Sequence, residues 1–259
     1  MIKTFFSSLR IIFYLFILVL VYVFYLSRDL PSLERLETFD PAMLSTLYDR
    51  NGEVIGEFYI QKRVFVDIED MPNHLKNAAI ASEDKRFYSH WGVDLQSFFR
   101  AVVVNVSSMS FRQGFSTLSQ QLARNLYKEV GFKDSITRKL KEMITAIQIE
   151  RTYTKDEILE MYLNTVHFGH GTYGAESAAK RFFNKNASDL TIGESAMLIG
   201  LLPSPANYSP LRNLNKAIGR RSIVLKLMYN QDFISYQEYM EHNSIVPVSY
   251  THLTLPTNL

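Results

Sequence analysis

Glu83 and Asp84 close a run of small residues, Ala78-Ala79-Ile80-Ala81-Ser82, and are followed at once by Phe87, Tyr88, His90, Trp91 and Gly92. A carboxylate at such a junction is half shielded from water, and shielding raises its pKa toward general-base duty. If the helix continued, Phe87 and His90, four and seven residues on, would share its face with Glu83. In isolation, a Glu-Asp pair beside Lys85 and Arg86 reads as a cap or a salt bridge. Two further polar blocks change that balance.

The second block runs from Gly114 to Asn125 and contains Ser116, Thr117, Gln120, Gln121 and Arg124. A glycine before a Ser/Thr helix start offers free backbone N–H groups and hydroxyls, a natural anion site. On the helix, Thr117, Gln121, Arg124 and Lys128 form one face, and Leu118, Leu122 and Leu126 form another that can enter a core. The third block is Arg138-Lys139-Leu140-Lys141-Glu142, in which Arg138 and Glu142 are i,i+4 neighbours able to pair at a surface. Between Arg112 and Lys141 there are seven basic residues against two acids, net +5, which leaves the rest of the chain at −3. A local cationic zone suits a phosphate or pyrophosphate; a solvated helix face is the plainer alternative.

The elements that must position these groups are mostly helical. The periodicity predicts helices over 73–84, 94–106, 116–128, 135–151, 155–164, 173–183, 191–202 and 213–229, with caps at Asp94, Ser116, Ser135 and Thr191. Asn51-Gly52 between alternating apolar residues signals a hairpin, and Arg63 to Asp67 a further short strand. The chain has 259 residues, 47% hydrophobic and 21% charged, which is ordinary for a globular protein; its net charge of +2 gives no ground for nucleic-acid binding. There is no cysteine, which excludes disulfides and thiolate chemistry.

From Ile11 to Leu26 the chain is unbrokenly apolar and aromatic. This is a little short of the roughly 20 residues of a spanning helix, but Arg10 and Arg28 can snorkel outward. Lys3 and Arg10 precede it, which puts the N-terminus in the cytoplasm. A cleaved signal peptide would need a small-residue cleavage site, and Tyr25-Leu26-Ser27-Arg28-Asp29 offers none. Two other motifs lead nowhere. Ser82 to Lys85 and Ser177 to Lys180 fit S-x-x-K without its K-T-G companion. His167 and His170 lack the acidic or cysteine partners of a zinc site.

Together the blocks resemble the peptidoglycan glycosyltransferases of family 51, found in class A penicillin-binding proteins and as monofunctional enzymes. The likeness covers about Pro31 to Asn213. Five motifs stand in order: Glu83-Asp84 with Phe87, His90 and Gly92; Gly114, Ser116-Thr117 and Gln120-Gln121 with Asn125; Arg138-Lys139 with Glu142; Ile158, Tyr162, Asn164, Gly169, Gly171, Gly174 and Ala179; and Glu194, Ala196, Leu198, Pro203, Pro205, Tyr208 and Pro210. Arg124 stands where the family commonly has Lys, Leu118-Ser119 where Ile-Thr is commoner, and Asn184 where Gly is frequent.

The resemblance implies a mainly α, lysozyme-like glycosyltransferase fold with an N-terminal transmembrane helix and a small β element. Residues 1–28 would be cytoplasmic tip and anchor, 29–71 juxtamembrane linker and β element, 72–245 the glycosyltransferase domain, and 246–259 a linker start or non-native tail. It implies polymerisation of lipid II onto a growing glycan strand at the outer face of the cytoplasmic membrane. Glu83 and Glu142 are the expected catalytic carboxylates. Asp84, Phe87, His90, Gly114, Ser116, Thr117, Gln120, Gln121, Arg124, Asn125, Arg138 and Lys139 are the expected substrate-binding residues. No cofactor is obligatory; a divalent metal, Mg2+ or Mn2+, on Glu142 is the optional one. The expected partners are lipid II, the glycan strand, the bilayer and cell-wall synthesis proteins, without nucleic acid. The transpeptidase domain of a class A protein is expected to be missing, and with it penicillin binding. A glycan-cleaving lysozyme or lytic transglycosylase is the nearest rival, but a neutral glycosidic bond needs no cationic clamp. An inactive membrane-anchored scaffold is the other rival, against which the intact Glu83 and Glu142 speak.

Overall fold

The computed structural model describes residues 2–28, 30, 33, 45–48, 50, 54–58, 64–108, 114–128 and 136–245. The chain is mainly helical with two small antiparallel ribbons. In order come α1 (Ile2–Ser27), β1 (Ser45–Tyr48), β2 (Val54–Phe58), α2 (Asn73–Glu83), a 3₁₀ turn at Phe87–Ser89, α3 (Leu95–Ser108) and α4 (Leu118–Lys128). Then follow α5 (Ile136–Thr152), α6 (Lys155–Thr165), β3 (His167–Gly169), β4 (Thr172–Tyr173), α7 (Ala175–Phe183), α8 (Ile192–Leu201), α9 (Pro205–Tyr208), α10 (Leu214–Tyr229) and α11 (Tyr236–Ser244).

Helix α8 is the axis of the core. Thr191 and Glu194 close a capping box at its start, and from Ser195 to Leu201 every residue is buried. It packs against α2 and α10. Gly200 lets α10 approach, since a Cβ there would lie 3.3 Å from the backbone of Arg220. Glu83 closes α2, which buries Leu75, Ala78, Ala79, Ile80 and Ala81. Each fully buried Leu or Ile contributes about 1.5–3 kcal/mol, and the alanines allow close contact at low side-chain entropy cost. Helix α2 stops at Glu83 because Asp84 turns extended, with φ −155° and ψ 72°. Phe87 and His90 therefore do not continue its face.

Most expected helices form within two residues of their predicted ends. Helix α4 starts at Leu118 rather than Ser116, because Thr117 takes the capping role: its Oγ1 accepts from the Gln120 N–H at 3.2 Å. Asp94 and Thr191 cap as expected, and Ser135 lies outside the described residues. The hairpin strands pair, with Ser45 opposite Phe58 and Leu47 opposite Gly56; its Asn51-Gly52 turn lies outside the described residues, as do residues 246–259. The strand expected near Val64 to Asp67 is absent. That segment pairs instead with side chains of α6: Asn164 accepts from Val66 N–H and donates to Val66 O, at 3.0 and 2.8 Å, and Glu160 accepts from Ile68 N–H at 2.7 Å. Gly174 permits this, because at φ 80° a Cβ would sit 2.7 Å from Asn164 O. The β3–β4 ribbon, α9 and α11 were not foreseen.

The expected membrane span falls on α1, where the side chains of Ile11, Ile12, Phe16 and Val19 lie outside the description. Among the described residues no helix is long and apolar enough to cross a membrane. Near its end α1 meets α5, with Tyr22 Oη 3.2 Å from Thr137 Oγ1.

Candidate active site

A cleft of about 740 Å³ opens at the C-terminal end of α2. Glu83, Asp84, Gly114, Ser116, Thr117 and Gln121 line it, joined by Lys85, Arg100 and Arg220, which the sequence reading did not place there. Glu83 is half-buried, and desolvation pushes its carboxyl above the ordinary carboxylate value. Hydrogen bonds from Gln121 and Ser82, then the charge of Arg220, work against that rise. Gln121 Nε2 donates to Glu83 Oε2 at 3.1 Å and Ser82 Oγ to Oε1 at 3.2 Å. The Gln121 amide is itself oriented, because buried Tyr162 donates its phenol proton to Gln121 Oε1 at 3.1 Å. The carboxylate keeps lone pairs for an incoming hydroxyl.

Asp84 faces inward. Its Oδ2 accepts from His90 Nε2 at 2.8 Å and from Leu118 N–H at 2.9 Å. The positive end of α4 is thus occupied by the protein's own carboxylate, which corrects the expectation of an open anion site there. Thr117 is buried and donates to Gly92 O at 2.7 Å; Gln120 is buried and donates to the same oxygen at 3.2 Å. Phe87 is in the core, His90 is buried, and Asn125 donates to Thr165 Oγ1 at 3.3 Å. Thr117 also lines the cleft, whereas Gln120, Phe87, His90 and Asn125 hold the site together without lining it. Gly114 has no neighbour within 4 Å of a notional Cβ, so no packing demands glycine there.

Glu142 departs furthest from its expected role. Its side chain is 0% exposed, and both oxygens are held: Arg124 Nε at 3.1 Å, Arg138 Nε at 3.2 Å and Lys139 Nζ at 3.4 Å. A carboxylate so engaged has no lone pair directed at a substrate or a metal. A divalent ion there would also face three cations, so Glu142 does not fit a metal ligand, and among the described residues no group of three His, Cys, Asp or Glu is placed to hold a metal ion. What Glu142 does is assemble cations. Arg124, Arg138 and Lys139 remain 38%, 23% and 24% exposed, and Lys139 reaches the cleft wall by donating to Ser116 Oγ at 2.7 Å. Burial lowers the Lys139 pKa, and Glu142 partly restores it.

Arg100 was legible as the lone cation on the apolar stretch Leu95 to Val106; Arg220 was not, since nothing in Arg220-Arg221 says which faces the cleft. Arg221 is buried, donating to the carbonyls of Asn243 and Ile245 at the C-terminal end of α11. His167 and His170 part ways: His167 lies against the Tyr173 ring, and His170 bonds Ser209.

The family model described as Transglycosylase matches residues 51–229. Penicillin-binding protein 1A of Neisseria gonorrhoeae is 45% identical over 209 residues, 81% of this chain and 26% of that protein. Penicillin-binding protein 1A of Aquifex aeolicus is 39% identical over 233 residues, 90% of this chain and 32% of that protein. The chain thus spans between a quarter and a third of the length of these relatives. A crystal structure of penicillin-binding protein 1A from Haemophilus influenzae overlaps with a TM-score of 0.45 at 24% identity, over 79% of this chain and 20% of that one, too loosely to bear on the fold.

Proposed function

The chain belongs to the transglycosylase family, the peptidoglycan glycosyltransferases its motifs resemble, and from that premise we propose that it polymerises lipid II into glycan strands. Glu83 is the general base. It removes the proton of the acceptor's GlcNAc 4-hydroxyl as that oxygen attacks the anomeric carbon of the donor. The bond from that carbon to the pyrophosphate oxygen breaks, undecaprenyl diphosphate leaves, and the configuration inverts. The observation that carries this reading is the Glu83 carboxyl itself, half-buried in the cleft and held by Gln121 with its pKa raised. A base with a raised pKa has more driving force toward a sugar hydroxyl than a solvated carboxylate has.

The leaving group gathers negative charge, and the cations clustered on Glu142 supply its complement. Arg138 and Lys139, with Arg124 beside them, take the donor pyrophosphate, and Ser116 holds Lys139 at the cleft wall. Arg100 makes no ion pair among the described residues and supplies further positive charge. The catalytic part of Glu142 is to position these cations. The fold is of the lysozyme-like kind, with its base at a helix end beside a cleft.

The lipid-linked substrate fits a membrane-bound enzyme. Read on the whole sequence, its span is the uncharged stretch between Arg10 and Arg28 in α1, which includes Ile11, Ile12, Phe16 and Val19, whose side chains lie outside the description. Its N-terminus faces the cytoplasm and the cleft lies outside. On α3, Leu95, Phe99, Val102, Val103 and Val106 form an exposed apolar stripe, on the helix that brings Ser97 and Arg100 to the cleft; this stripe dips into the lipid interface.

The test is polymerisation of labelled lipid II by the detergent-solubilised chain, with Glu83→Gln beside it. Long strands from the parent alone are expected. Equal strands from the variant would remove Glu83 from the chemistry, and release of soluble fragments from finished peptidoglycan would mean cleavage instead.

A further inference from the structure

One buried carboxylate has no part in that mechanism. Glu150, on α5, is 6% exposed and does not line the cleft. It accepts from Ser119 Oγ at 2.5 Å and from Lys155 Nζ at 2.7 Å. Lys155, the first residue of α6, also donates to the backbone carbonyl of His90 at 2.8 Å and stands 4.5 Å above the Phe87 ring. Glu150 Oε1 lies 3.7 Å from His90 Nδ1.

These contacts converge on residues 84–92, the segment that leaves α2 directly after Glu83. Apart from the 3₁₀ turn it has no regular structure, so side chains must fix it. Asp84 holds the His90 ring, Lys155 holds the His90 carbonyl, and Gly92, at φ 100°, is wedged where a Cβ would lie 2.7 Å from Ala146 O. The Gly92 N–H donates to His90 Nδ1 at 3.1 Å, so the ring proton sits on Nε2 and points at Asp84. A carboxylate beside Nδ1 can only accept, and leaves that nitrogen to Gly92. An amide in its place can turn an N–H toward Nδ1 and compete.

We infer that Glu150 and Lys155 are a positioning pair for the reaction: they clamp residues 84–92 and, through His90 and Asp84, set where Glu83 stands. The inference rests on the reading of Glu83 as the base. Neither residue touches the reacting atoms. Their effect is therefore on turnover more than on binding, and a displacement near 1 Å at a reacting group is worth about a hundredfold in rate.

The experiment uses the full chain in detergent with lipid II. Glu150→Gln and Lys155→Met should each lower kcat roughly 10- to 100-fold with KM within about threefold, while circular dichroism at the assay temperature stays that of the parent. The double variant should be no worse than either single one, because both break one clamp. Glu150→Asp and Lys155→Arg keep the charge pair and should recover most of the rate. Imidazole nitrogen NMR should find His90 as the Nε2–H tautomer in both proteins, with the Nδ1 resonance displaced in Glu150→Gln, where an amide N–H competes with Gly92 for that nitrogen. Parental kcat in both single variants, losses that multiply in the double variant, or a His90 Nδ1 resonance unmoved in Glu150→Gln would each overturn the inference. If Glu83→Gln kept full polymerisation, the base assignment alone would fall, and the His90 Nδ1 resonance, which does not involve Glu83, would still decide whether the clamp acts through His90.

Discussion

Replacing Glu142 with Gln keeps the volume of a fully buried side chain and removes its charge. Three cations that now surround one anion, a local sum of +2, would be left at +3. At an effective dielectric constant near 20, two unit charges about 5 Å apart repel by roughly 3 kcal/mol. Breaking a buried ion pair typically costs about 3–5 kcal/mol. Here the cations are already 23% to 38% exposed and can turn to water, so the expected loss is nearer 2 kcal/mol, roughly 4–8 °C in melting midpoint for a domain of this size. The assay is thermal unfolding of the full chain in detergent, with and without inorganic pyrophosphate. The anion replaces the missing counter-charge, so it should raise the midpoint of Glu142→Gln more than that of the parent. Midpoints agreeing within about 1 °C without pyrophosphate would refute the view that Glu142 organises these cations. If a chelator gave the parent the variant's behaviour, Glu142 would be a metal ligand after all.

Other expectations follow from the same geometry. Burial raises the Glu83 pKa above its ordinary 4.5, so its contribution to stability is full below 4.5 and is lost as pH rises through the folded value. Glu83→Gln should therefore melt higher than the parent at pH 8 while inactive, and equal midpoints there would contradict the desolvation argument. Tyr162→Phe removes the proton that orients the Gln121 amide; a loss of about 1 kcal/mol and a roughly tenfold fall in kcat are expected, and unchanged kcat would show that the amide orients itself. Burial pushes the Asp94 carboxyl up, but hydrogen bonds from Ser97 and Arg86 outweigh it and hold it at about 2. Its stabilisation of roughly 2 kcal/mol is present above 3.8 and fades as pH falls toward 2. Asp94→Asn should flatten the acid-unfolding curve across that window, and an unaltered curve would discount the Arg86 pairing.

Helix α6 was readable residue by residue, since its Thr154–Glu157 capping box and its apolar period are local facts. So was Glu83 at the end of a small-residue helix. Burial direction was less legible. Thr117, Gln120 and Asn125 have the composition of a substrate-binding face, yet their hydrogen bonds close on Gly92 and Thr165. Nothing within ten residues of them announces those partners. The i,i+4 pairing of Arg138 with Glu142 was visible, but Arg124, 18 residues away, turns a surface pair into a buried cluster. Glu150 and Lys155 escaped notice because they read as an ordinary charged helix end, and their meaning comes only from the loop folded over them.

Helix α6 carries Lys155 at its start, Tyr162 in its middle and Asn164 near its end, with Glu160 between. The backbone amides of Val66 and Ile68 are therefore sheltered from solvent exchange by the same helix that supports Glu83 from two sides. Opening of one entails loosening of the other, which makes them a single cooperative unit. Deuterium uptake at Val66 and Ile68, 17 and 15 residues before Glu83 in the chain, reads how firmly that unit is closed.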